Sequence, residues 1–89
     1  MKAIILPEHG GSELFRVEEV PKPETKPGHV LIQVAASSVN PVDFKIRQGL
    51  IPIGPELPGI LHGDMAGVVE DVGEGVKGFA PGDEVYGCI

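Results

Sequence analysis

The sequence has no tryptophan, one tyrosine, three phenylalanines and a single cysteine in 89 residues. One cysteine excludes a disulfide framework within the chain and fits a reducing compartment. No apolar run approaches the roughly 18 residues needed to cross a bilayer. The opening Met1-Lys2-Ala3-Ile4-Ile5-Leu6 is stopped by Pro7 and followed by charges, so it is expected to be a first strand and not a signal peptide. Basic residues are also scarce: 7 Lys and Arg stand against 13 Asp and Glu, a net charge of −6. The acidic residues are scattered, and such a surface repels phosphate backbones and anionic lipid, so neither nucleic acid nor a membrane is expected as a partner. A cytoplasmic location follows as the expectation.

Glycine and proline, 13 and 9 residues, make up about a quarter of the chain, a level that would suggest disorder in a polar sequence. The apolar content argues otherwise. Val (11) and Ile (8) far outnumber Leu (6), and this β-branched excess favours strands in a chain able to collapse. The chain is expected to form one small, turn-rich, mainly β unit, or part of one.

Along the chain, Lys2 to Leu6 reads as a strand closed by Pro7, and His9-Gly10-Gly11 as a turn. Phe15 to Val20 alternates apolar with charged and slips by one near its end, which marks a bulge or the strand's finish. The stretch Pro21 to Gly28 carries three prolines and can hold neither a central strand nor a helix. His29 to Val39 is the strongest strand, covered on both sides for part of its length. The period then changes. Asn40-Pro41 is an N-cap followed by proline at the first helical position, Val42 and Ile46 share a face, and Gly49 supplies the stop. A helix over Pro41 to Gln48 is predicted, too short to stand without packing. Leu50 to Gly59 is a loop rich in Pro and Gly, yet apolar, which fits the lining of a pocket or the underside of an absent partner. Ala66 to Val72 and the segment from Val85 read as the last strands, and the latter runs off the end at Ile89, as expected of a truncated domain.

The segment Gly73-Glu74-Gly75-Val76-Lys77-Gly78 satisfies G-x-G-x-x-G, but a dinucleotide site needs a helix opening inside that motif. Pro81 blocks such a helix, so the match is read as a glycine-rich turn. His9, His29, His62, Cys88, Asp43 and Asp64 show no paired zinc spacing. No metal site is predicted. Asp43 and Arg47 have the spacing of an exposed i,i+4 pair.

Ser38-Val39-Asn40-Pro41-Val42-Asp43-Phe44-Lys45-Ile46-Arg47-Gln48-Gly49 resembles a signature of the quinone oxidoreductase branch of the medium-chain dehydrogenase/reductase superfamily. So do Gly63-Asp64-Met65-Ala66-Gly67-Val68-Val69, the positions Val72-Gly73, Gly75-Val76 and Phe79, Gly82-Asp83-Glu84-Val85, and the opening Met1-Lys2-Ala3 with Gly10-Gly11-Ser12-Glu13-Leu14. The likeness spans the whole chain with similar spacing. It implies the N-terminal part of a GroES-like catalytic domain, a partly open β-barrel with one short helix, spanning residues 1–89, with the nucleotide-binding Rossmann domain outside this chain. Zinc alcohol dehydrogenases carry a Cys ligand a few residues before the helix Asp, where this chain has Val39-Asn40-Pro41-Val42, and a His just before the next acidic residue, where it has Gly63. His62 is shifted by one. The resemblance therefore implies a zinc-independent enzyme.

The function so implied is hydride transfer from NADPH, or NADH, to a quinone or α,β-unsaturated carbonyl, with the cofactor held mainly by the other domain. Asn40 is the implied catalytic and cofactor-contacting residue, and it can serve as the helix cap at the same time. Asp43 is a second catalytic candidate, although a structural role is favoured for it. Ile51, Ile53 and Leu57, together with Leu50, would wall the substrate pocket, His62 lies beside it, and Asp64 would tether a turn there. Lys45 stands where some relatives have an aromatic, so substrate stacking is not assigned to it. A homodimer of the full-length form is implied. The alternatives are a stand-alone GroES-like binding or assembly module and a split-gene remnant without catalysis.

Overall fold

The structure, a computed structural model, describes residues 1–61 and 63–88, and the expectation placed on His62 lies outside them. The chain divides into two compact units, one formed by residues 1–21 and 39–61, the other by residues 22–38 and 63–88. The described residues form a mainly β fold with one short α-helix, as expected. The strands lie in two antiparallel sheets, neither closed on itself.

In the first unit the apolar opening pairs with the alternating segment: β1 (Lys2–Ile5) runs antiparallel to β2 (Arg16–Glu19), with Ile4 opposite Val17. β2 stops at Glu19, where its apolar–charged alternation fails. Leu6 extends β1 by one bridge to Gly59, exchanging both backbone hydrogen bonds at 2.8 and 3.1 Å, before Pro7, which has no N–H, ends the ladder. Among the described residues of this unit, Ile5, Leu6 and Leu61 are the buried apolar ones. Helix α1 (Pro41–Gln48) has the predicted bounds, and Gly49 terminates it at φ 77°, ψ 21°, a left-handed conformation that carries no Cβ penalty only for glycine.

In the second unit β3 (Val30–Ser37), β4 (Asp64–Val72) and β5 (Glu84–Cys88) form a sheet in that order. Val30, Leu31 and Ile32 are half-buried in succession, so both faces of β3 are covered at its start, whereas the strand is exposed from Gln33 onward. Two irregularities interrupt the β3–β4 register, one leaving Glu70 unpaired against β3 and the other leaving Ala35 unpaired against β4. Between them Gly67 opposes Val34, and the strands approach so closely that a Cβ on Gly67 would fall on the Gln33 carbonyl oxygen. Val69 is buried in this unit. It is held on the backbone by Asp83 and Gly82: its N–H donates to the Asp83 carbonyl at 2.9 Å, and its carbonyl accepts from Gly82 at 2.8 Å.

The segment Gly73–Gly78 is a turn with no helix, as its proline-bounded sequence predicted, and Gly75 and Gly78 take positive φ there. The proline-rich stretch before β3 carries neither strand nor helix. Among the described residues no helix is long and apolar enough to cross a membrane.

Candidate functional site

Asn40 and Asp43 are brought together by the start of α1. Asn40 has extended backbone (φ −119°, ψ 160°), and Pro41 occupies the first helical position, where its missing N–H costs no helical bond. Asp43, three residues on, turns its carboxylate back: Oδ2 accepts the Asn40 N–H at 2.6 Å, while the Asp43 N–H donates to the Asn40 carbonyl oxygen at 2.9 Å. This is the acidic arm of a capping box, and it places a negative charge at the positive end of the helix dipole. Asp43 is only 5% exposed, whereas Asn40 is exposed. Its i,i+4 neighbour Arg47 takes another partner: the Arg47 Nε donates to the Gly10 carbonyl oxygen at 3.1 Å. The helix supports two exposed apolar side chains, Val42 and Phe44, and leads into the Pro- and Gly-rich loop. In that loop Ile51 and Leu57 are half-buried, Leu50 and Ile53 exposed, all in the first unit.

Asp64 belongs to the second unit and gathers a different set of partners. The Ser38 hydroxyl donates to its Oδ2 at 2.5 Å, and the Ser37 hydroxyl donates to its carbonyl oxygen at 2.8 Å. These bonds tie the end of β3 to the start of β4. Across the sheet, the β4–β5 register sets Cys88 opposite Asp64 and Tyr86 opposite Ala66. A hydrogen bond to the Asp64 carboxylate, with its negative charge as a second cause, raises the Cys88 thiol pKa above the ordinary value. A thiol so placed is not an activated nucleophile, which requires a lowered pKa. Ala36, Ser38, Asp64, Met65, Tyr86 and Cys88 line an open groove of about 450 Å³ at this end of the sheet. Tyr86 stands 89% exposed on it.

Of the sequence-derived candidates, Asn40 and Asp43 thus share one helix cap, Ile51, Ile53 and Leu57 follow it in the same unit, and Asp64 lies in the other unit. Ser37, Ser38, Tyr86 and Cys88 were not anticipated as companions of Asp64. The available signal was the alternation Asp64-Ala66 against Tyr86-Cys88 on two strands, but the register that joins them is a tertiary fact.

The residues matched by the alcohol dehydrogenase GroES-like domain family run from 26 to 89. The chain belongs to this family, within the medium-chain dehydrogenase/reductase superfamily, as its sequence signature implied. It is 42% identical over 89 residues to a rat quinone oxidoreductase, covering 97% of this chain and 26% of that protein. It is 43% identical over 91 residues to an NADPH-dependent alkenal/one oxidoreductase of Arabidopsis thaliana chloroplasts, covering all of this chain and 24% of the relative. The structure superimposes on the Escherichia coli quinone oxidoreductase complexed with NADPH at a TM-score of 0.89 and 34% identity, covering 97% of this chain and 26% of that one. The chain therefore spans about a quarter of the length of the relatives it matches.

A dinucleotide would need a glycine turn opening a helix whose N-terminal N–H groups meet the pyrophosphate. The turn at Gly73–Gly78 opens no helix, so it does not fit that group. Among the described residues no three His, Cys, Asp or Glu side chains converge in a way that could hold a metal ion.

Proposed function

We propose that this chain is the substrate-side part of an NADPH-dependent oxidoreductase that reduces a quinone or an α,β-unsaturated carbonyl without zinc. Likeness along the whole chain to proteins named for quinone and alkenal/one reduction carries the proposal, supported by the absence of a thiol across Val39–Val42. Reducing an isolated carbonyl concentrates charge on one oxygen, which a Lewis acid stabilises by several kcal/mol. A conjugated acceptor spreads that charge, so hydrogen-bond donors suffice. The reduced nicotinamide, held by a separate dinucleotide-binding domain, supplies the hydride.

In this scheme the Asn40 amide orients the acceptor or the nicotinamide at an exposed helix cap. Asp43 is a positioning residue, because its carboxylate is buried and fixes the Asn40 backbone from below. Ile51, Ile53 and Leu57 provide an apolar wall that admits a conjugated ring or chain. Asp64 tethers Ser37 and Ser38. The site acts on a small molecule in the cytoplasm, with NADPH preferred, and the complete protein is a homodimer.

The test is substrate selectivity with and without a chelator. A polypeptide carrying this sequence joined to a dinucleotide-binding domain should oxidise NADPH with a naphthoquinone or a 2-alkenal, ignore the saturated ketone of equal length, and keep its rate in a strong zinc chelator. Loss of activity on chelation, or alcohol oxidation as the better reaction, would overturn the proposal.

A further inference from the structure

The turn after β1 grips the far end of α1. His9 Nδ1 lies 3.0 Å from the Ile46 carbonyl oxygen; a carbonyl only accepts, so Nδ1 carries the hydrogen. The Gly10 N–H donates to the Arg47 carbonyl oxygen at 2.8 Å, and the Arg47 Nε returns a bond to the Gly10 carbonyl oxygen at 3.1 Å. The imidazole also lies against Gly49, where a Cβ would come within 3.1 to 3.4 Å of three ring and side-chain atoms. Gly10 thus satisfies the Arg47 carbonyl, one of those a helix end leaves without an intrahelical partner, and His9 adds a second donor to the Ile46 carbonyl, which also accepts the Gly49 N–H at 3.0 Å. An eight-residue helix needs such help, since isolated helices below about 12–15 residues are marginal.

We propose that His9 and Arg47 are positioning residues: through the two turns of α1, the clasp at its C-terminal end holds the Asn40 cap at the other end in place. Its consequence for turnover rests on the proposed role of Asn40; the clasp itself does not. The clasp is built from the His9 ring, the Arg47 guanidinium and the Gly10 backbone, and these bonds are to backbone atoms.

Amide hydrogen exchange on the chain tests this without any turnover measurement, so its failure is separable from failure of the reductase proposal. His9→Ala should raise exchange roughly fivefold at Gly49 and Leu50, the loss of one modest hydrogen bond, and raise it comparably at Asp43, whose N–H bonds Asn40. The Val69 amide, in the other unit, should not change. His9→Asn, whose side-chain amide can donate from nearly the same position, should restore both ends. An increase confined to Gly49 and Leu50, no increase anywhere, or no rescue by His9→Asn would each overturn the proposal. If His9→Ala unfolds the chain, Arg47→Lys, which withdraws the Nε donor while keeping the charge, is judged by the increase at Asp43: present, the clasp stands; absent, it falls.

Discussion

Replacing Gly67 by alanine should destabilise the protein, although a glycine-to-alanine change in extended backbone ordinarily stabilises by about 0.4–1 kcal/mol through the unfolded chain. The reason is local. The added Cβ would fall on the Gln33 carbonyl oxygen and would sit 2.9 Å from the Gln33 carbonyl carbon and 3.0 Å from Ile32 Cγ2. The first two are backbone atoms and cannot swing aside as a flexible side chain would. Relief requires β3 and β4 to part at the Val34–Gly67 pair, between two existing register irregularities. Overpacking of this kind costs about 1–3 kcal/mol, and each ladder bond stretched beyond use costs about 0.5–1.5 kcal/mol more. With one ladder bond lost and net of the unfolded-state gain, a loss of about 0.5–4 kcal/mol is expected, which lowers Tm by roughly 4–8 °C for each kcal/mol in a domain of this size. Gly87→Ala is the control, since its Cβ would meet only Met65 Cε at an ordinary 3.7 Å. Thermal unfolding followed by circular dichroism reads both. A Gly67→Ala protein melting at or above the parent would refute the close-approach argument.

Asp43→Asn keeps the shape of the capping side chain but removes its charge; a loss of about 1–2 kcal/mol is expected by urea unfolding, because the charge-assisted bond to Asn40 and the dipole interaction weaken together. Cys88 should be a slow thiol, since its raised pKa leaves less thiolate at any pH below that value. Asp64→Asn removes the charge and lowers that pKa, so iodoacetamide alkylation near pH 8 should accelerate and its pH–rate midpoint move down; an unchanged or slower rate contradicts the assignment. Lys22→Ala should change stability by under about 1 kcal/mol despite a 2.7 Å contact with Glu70, because both side chains are exposed to screening solvent. The 89-residue chain alone should not oxidise NADPH in the presence of a naphthoquinone; absorbance loss above a protein-free control would show that the cofactor is held without a further domain.

Where partners are near in sequence, the residues themselves determined the outcome. Asn40-Pro41 and Gly49 bounded α1 because capping and left-handed termination act within a turn or two. The β-branched alternation around Ile32 and Val69 specified strands because side chains in extended backbone alternate between faces. The proline after the glycine turn at Gly73–Gly78 ruled out a phosphate-binding helix for the same local reason. Tertiary structure decided what depends on chain segments meeting from afar. Arg47 has an acidic residue one turn away on its own helix, yet it donates to Gly10, 37 positions earlier in sequence, where the backbone offers a carbonyl at the right angle. Asp64 gained Ser38 and Cys88 through strand register. A one-residue slip would have turned those side chains to the opposite face, and register is set by packing across the sheet, which no single strand encodes.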